Sequence, residues 1–160
     1  DTKQDETADW KTYRNEEYGF EVSYPIDWTL KTFERGVYFE FSTKTGYLAT
    51  LYGLYPRKEN YIGSALEEAK KEKRPIHEIQ TEDKRVYWSG GIACEQGNPC
   101  YALINFYRDE LIEKNIKPTI LIERVSYNDF DRSDYDPYPL IEADLGTIGS
   151  VLSSYSFLQI

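Results

Sequence analysis

The sequence predicts an α+β fold in which an antiparallel β-sheet is flanked by helices. Three observations predict it. Short runs alternate apolar and polar residues between turn formers, and the two helix-like stretches are set apart rather than interleaved strand by strand. The aromatic content, 15 Tyr, 7 Phe and 3 Trp in 160 residues, also favours strands and half-buried surfaces.

The elements follow in order. Residues 1–9 are polar and acidic without apolar periodicity, which predicts a flexible leader or tether ahead of one domain over 10–160. Phe20, Val22 and Tyr24 alternate with Glu21 and Ser23 until Pro25 ends the run. Val37, Phe39 and Phe41 form a second alternation. Gly46 turns the chain into 47–54, apolar on both faces and so expected at the centre of the sheet, antiparallel to its predecessor. Ser64 and Glu67 match a capping box. The helix they open carries Ala65, Leu66 and Ala69 on one face, lysines in its last turn and Pro75 as its stop. Residues 76–80 and 85–88 read as a short hairpin around Glu82-Asp83. Two strands follow, 101–107 and 119–127, the second with Ile120 and Ile122 on one face and Leu121 and Val125 on the other. Ile141, Leu145, Ile148 and Leu152 are spaced as a helical stripe after Pro139. Gly146 and Gly149 weaken that helix and suit close packing on the sheet. Residues 155–160 close as a strand.

Charge excludes one class of partner. The formal net charge is −9. Asp1, Asp5, Glu6 and Asp9 against Lys3 give −3. Asp129, Asp131, Asp134, Asp136, Glu142 and Asp144 against Arg132 give −5. The basic cluster of Lys70, Lys71, Lys73 and Arg74 interleaves with Glu67, Glu68 and Glu72 as a solvated helix face. Nothing here neutralises a phosphate backbone, so no nucleic-acid partner is expected. No apolar stretch approaches the ~18–20 residues that span a bilayer. A chain that starts at Asp1 and holds no Met is expected to be a processed or truncated product, with room for a membrane tether upstream.

Cys94 and Cys100 enclose five residues, among them the turn formers Gly97, Asn98 and Pro99. No zinc partners or redox spacing compete for the thiols, so a disulfide is expected, and with it an extracytoplasmic location, secreted, periplasmic or membrane-tethered.

The segment Tyr13-Arg14-Asn15-Glu16-Glu17-Tyr18-Gly19-Phe20-Glu21-Val22-Ser23-Tyr24-Pro25-Ile26-Asp27-Trp28 resembles the opening of the PsbP-like family, with its Tyr-x-Asn, Gly-Phe, alternating strand, Tyr-Pro and following Trp. Leu152-Ser153-Ser154-Tyr155-Ser156-Phe157 is similar to that family's close. The resemblance implies an antiparallel sheet flanked by helices in a secreted or lipid-anchored protein. It carries over no photosystem or metal-retention role, because no such functional residue is matched here, and a shared fold does not carry a shared activity.

Residues that carry chemistry are few. His77 is the only histidine, too little for zinc or a catalytic triad, and reads as a partly exposed strand residue. Gly90-Gly91 lacks the rest of a phosphate loop. The segment 128–136 offers Asp129, Asp131, Asp134 and Asp136 as oxygen ligands for Ca²⁺, yet lacks the Gly and terminal Glu of an EF-hand loop. Its simpler reading is a set of Asp-capped turns. Tyr38, Tyr52, Tyr87, Trp88 and Tyr107 would line a sheet face that stacks on a protein or a sugar, or else pack beneath helices. The expectation is a non-catalytic binding or accessory module for a protein partner. The alternatives are a calcium-stabilised glycan- or cell-wall-binding domain and, third, a hydrolase working with carboxylates alone.

Overall fold

The computed structural model describes residues 9–34, 36–57, 62–81, 85–96 and 99–159. The leader at 1–8, the Glu82-Asp83 turn, Gly97-Asn98 in the cysteine loop, Ile160 and the side chains of Ser64 and Ala65 lie outside the described residues.

The fold is α+β, built on two antiparallel sheets with short helices. The smaller sheet places β2 (Phe20–Tyr24) between β1 (Lys11–Asn15) and β10 (Ser156–Phe157). The larger sheet has seven strands in the order β3 (Thr29–Phe33), β4 (Gly36–Ser42), β5 (Leu48–Tyr52), β9 (Thr119–Val125), β8 (Cys100–Tyr107), β7 (Arg85–Ala93) and β6 (His77–Gln80). The α-helices among the described residues are α1 (Ile62–Lys71), α2 (Asp109–Glu113), α3 (Tyr138–Ile141) and α4 (Leu145–Ser154). The core lies between the inner face of the large sheet and a cover made by the small sheet and α4. Phe20 stacks on Tyr155 with ring centroids 4.7 Å apart, and Trp28 stacks on Phe41 at 4.1 Å.

Most alternations read from the sequence are realised, and the departures have local causes. Strands β1 and β3 carry no buried apolar alternation, because each is a solvent-exposed edge. They left no periodic signal. In β5 only Ala49 and Leu51 point to the core, while Leu48 is 61% exposed. The strand is interior but apolar-sided rather than buried on both faces. It ends where Gly53, at φ +81, passes Lys117 so closely that a Cβ would lie 2.3 Å from the Lys117 carbonyl oxygen.

Helix α1 already runs from Ile62, so Ser64 falls inside its first turn and not at the cap position. Ala69 is buried, Leu66 is half-buried, and the helix stops before Pro75. The predicted C-terminal helix is broken by a 3-10 turn at Glu142–Asp144, which separates α3 from α4. Ile141, Ile148 and Leu152 still reach the core. Gly149 permits the close approach, since a Cβ there would lie 2.8 Å from Ile79 Cγ2, whereas Gly146 faces open space.

Val125 departs from expectation. Cys100 is paired with Val125 and Ala102 with Ile122, so Glu123 and Arg124 together oppose Tyr101. This β-bulge shifts the alternation by one residue and returns Val125 to the core beside Ile122.

Two polar devices join distant elements. Asp144, buried, accepts from the Lys44 amide at 3.1 Å and secures the β4–β5 turn, whose Gly46 has φ +94. Arg108, 2% exposed, donates from Nη1 to the carbonyls of Leu152 (2.7 Å) and Tyr155 (2.8 Å) at the end of α4. Cys94 and Cys100 form the expected disulfide. No helix among the described residues is long and apolar enough to cross a membrane.

Candidate binding surface

The outer face of the large sheet can be followed strand by strand. Thr29 pairs with Glu40, Glu40 with Thr50, Thr50 with Leu121, Leu121 with Leu103 and Leu103 with Gly91. Residues directly opposite on paired strands project to the same side, so this is one continuous row across six strands. A neighbouring row runs through Tyr52, Thr119, Asn105 and Ser89.

Along the middle of this face the apolar groups are in water. Leu48 is 61% and Leu103 38% exposed, while Leu121 and Tyr101 are half-buried. Three shallow hollows indent it. One, of about 390 Å³, is lined by Leu48, Thr50, Leu121, Glu123 and Arg124. The next, of about 380 Å³, shares Leu121, Glu123 and Arg124 and adds Pro99, Cys100 and Tyr101. The third, of about 330 Å³, spreads from Tyr101 and Leu103 over Gly90 and Gly91 to Arg74. A Cβ at Gly91 would meet nothing within 4 Å. The missing side chain, and not a close approach, opens that end of the trough. With strands ~4.8 Å apart, β5 to β7 gives a trough roughly 15 Å across.

The five aromatic candidates divide. Tyr38, Tyr52, Tyr87 and Tyr107 share the outer face, and Tyr38, Tyr52 and Tyr87 are half-buried there. Tyr107 is 2% exposed, and burial pushes its hydroxyl pKa up while a hydrogen bond with Ser89 pulls it down. Trp88 belongs to the inner face, paired with Phe106 and stacked on His77 at 4.2 Å. Its one-residue offset from Tyr87 puts it on the opposite side of the strand. The leucines and Gly91 were not among the binding-surface candidates read from the sequence. Their signal was an apolar residue on the polar side of each alternation.

The acidic segment does not converge. Asp129 accepts from the Tyr47 hydroxyl. Asp131 accepts from the Ser133 hydroxyl (2.7 Å) and amide (2.9 Å), which hold its carboxyl below the usual range. Asp136 accepts from the Tyr138 amide at 2.9 Å, and the Asp134 amide closes a turn onto the Asp131 carbonyl at 3.3 Å. Among the described residues no group of three or more His, Cys, Asp or Glu side chains is placed to hold a metal ion. The segment is a series of capped turns, one of which supplies the Tyr135 carbonyl to the Ile92 amide at 3.0 Å, beyond the end of β6.

A second concavity lies on the other side of the molecule, along α4. It is about 670 Å³ and is lined by hydroxyls of Thr81, Thr147, Ser150, Ser153 and Ser154 with Lys44. A smaller hollow of about 230 Å³ shares Lys44, Thr147 and Ser150 and ends at Trp10 and Trp28.

No family model matches the chain, and no curated protein matches it. Among solved structures, a protein from Bacteroides thetaiotaomicron VPI-5482 is similar at 13% identity with a TM-score of 0.49. The similarity covers 94% of this chain and 49% of that one, so the chain spans about half of that protein's length.

Proposed function

We propose that the chain is a non-catalytic extracytoplasmic binding or accessory domain that docks a protein segment on the outer face of its seven-stranded sheet. The observation that carries this reading is the trough itself. Leu121 and Leu103 oppose each other on adjacent strands, and Leu48 lies diagonally across from Leu121 on the next strand. All three are partly or largely exposed, and they continue into the open floor at Gly91. Exposed apolar groups gathered in a shallow, rigid sheet surface gain free energy when a partner removes them from water, at little ordering cost. Half-buried Tyr38, Tyr52 and Tyr101 border the trough and suit the same use.

The disulfide supports an oxidising compartment. The segments that resemble the PsbP-like family, 13–28 and 152–157, meet in space, because β2 pairs with β1 on one edge and β10 on the other. That meeting supports relation to a family rich in secreted and lipid-anchored proteins.

Glycan capture is a second reading, favoured by the hydroxyl-lined trench along α4 with Trp10 at its end. That reading is put without calcium, because Asp129 accepts from the Tyr47 hydroxyl, Asp131 from the Ser133 hydroxyl and amide, and Asp136 from the Tyr138 amide.

A photocrosslinking residue at Leu103 tests the docking reading in the protein's native cells. It should yield a discrete protein adduct that Gly91→Trp abolishes, while the same crosslinker at Thr147 yields none. Adducts at Thr147 alone would overturn it.

A further inference from the structure

On the docking reading above, we infer that the segment received by the trough carries a carboxylate, bound by Arg124. Among the described residues, the non-glycine positions with positive φ are Lys73, Asn115, Arg124 and Tyr135. Lys73 and Asn115 follow the ends of α1 and α2, and Tyr135 closes a turn onto the Asp131 carbonyl. Arg124, at φ 58, is the one set inside a strand. Glycine satisfies that backbone without steric cost, yet the position holds a long cationic side chain. Strain kept in place by its surroundings points to a use for the side chain.

The bulge supplies the setting. It places Glu123 and Arg124 together opposite Tyr101, both exposed, and Arg124 lines the hollows on both sides of Leu121. Other arginines are engaged nearby: Arg14 with Glu16 and Glu21, Arg74 with Glu72, Arg85 with Glu78, Arg108 with Glu110, and Arg132 over the Tyr127 ring. Arg124 makes no ion pair or ring contact with a described residue. Its planar fork matches a carboxylate in two parallel hydrogen bonds, and its stem suits an apolar floor. Glu123 beside it and Glu40 two strands away bear the opposite charge, which disfavours a partner presenting acids alone. An extended segment shows one side to the trough at every second residue. The fitting occupant is therefore an extended peptide whose acidic residue is flanked at i−2 and i+2 by apolar side chains.

A display library of random nine-residue peptides, panned on the intact protein, tests this. Selected peptides should share that pattern and bind Arg124→Gln and Arg124→Gly about tenfold more weakly. The Arg124→Gly variant should keep or raise the thermal midpoint, because glycine adopts the positive φ. Selected peptides without an acid, or bound by the two variants as tightly as by the unsubstituted protein, would overturn the carboxylate inference. The docking reading would survive that result if Gly91→Trp still abolished binding. Peptides indifferent to Gly91→Trp, or no enrichment at all, would overturn both.

Discussion

Replacing Arg108 by Met removes the clasp on the end of α4 while keeping most of the apolar stem. Its guanidinium serves two carbonyls, Leu152 and Tyr155, and reaches Glu110 at 3.1 Å. Each carbonyl left buried without a donor costs about 1–3 kcal/mol. Loss of a cation from a helix C-terminus adds up to ~2 kcal/mol in a buried setting. Against these stands the relief of burying a charge, which also lowers the guanidinium pKa. The Arg108 Nε is itself buried without a partner among the described residues. The balance is a loss of about 3 kcal/mol, a fall in midpoint of roughly 6–12 °C for a chain this size. Arg108→Lys keeps the charge but not the fork, and should fall between. Urea unfolding followed by circular dichroism gives the free energies directly. A loss below about 1 kcal/mol for the Met variant would mean that water replaces the clasp and that Arg108 does not hold the end of α4.

Three further outcomes are expected. Gly146→Ala, with open space at the new Cβ, should stabilise by up to ~1 kcal/mol, whereas Gly149→Ala meets Ile79 and should destabilise by about 1 kcal/mol in the same unfolding assay. Burial raises the pKa of Tyr155 and Tyr107 above the usual 10.0. The unfolded chain therefore loses these protons first, so stability is whole below pH ~10 and then falls by about 1.4 kcal/mol per pH unit for each such tyrosine. Tyr155→Phe should flatten that alkaline slope, and an unchanged slope would count against the burial argument. A calcium site held at a hundredfold its dissociation constant would add about 2.7 kcal/mol, or roughly 5–10 °C. No such shift between EDTA and millimolar calcium is expected, because Asp129, Asp131 and Asp136 serve separate partners.

Periodicity made the buried alternations legible. Phe20-Val22-Tyr24, Val37-Phe39-Phe41 and Ala102-Ile104-Phe106 all face the core as their spacing predicts. Edge strands β1 and β3 were not legible, since pairing on one side alone demands no apolar face. Nor was the bulge at Arg124, whose backbone angle has no sequence mark when the residue is not glycine. Arg108 and Asp144 act on groups far along the chain, at Leu152 and Lys44, and only the tertiary fold brings them there. Aromatic content pointed to a sheet face, and four of the five aromatics named from it lie on the outer face, Tyr107 buried there. The offset of one that buries Trp88 was implicit in Tyr87 being its neighbour. The trough was missed because its floor is made by leucines and a glycine, residues that single out a surface only once register is known.

On the docking reading, this protein binds through the outer face of the large sheet. Amide shifts of the isotope-labelled protein, recorded as a panned peptide is added, test it most directly. Shifts confined to 48–52, 89–93, 101–105 and 119–124 are expected. Shifts gathered instead along α4 and Trp10, or over the turns at 128–136, would contradict it.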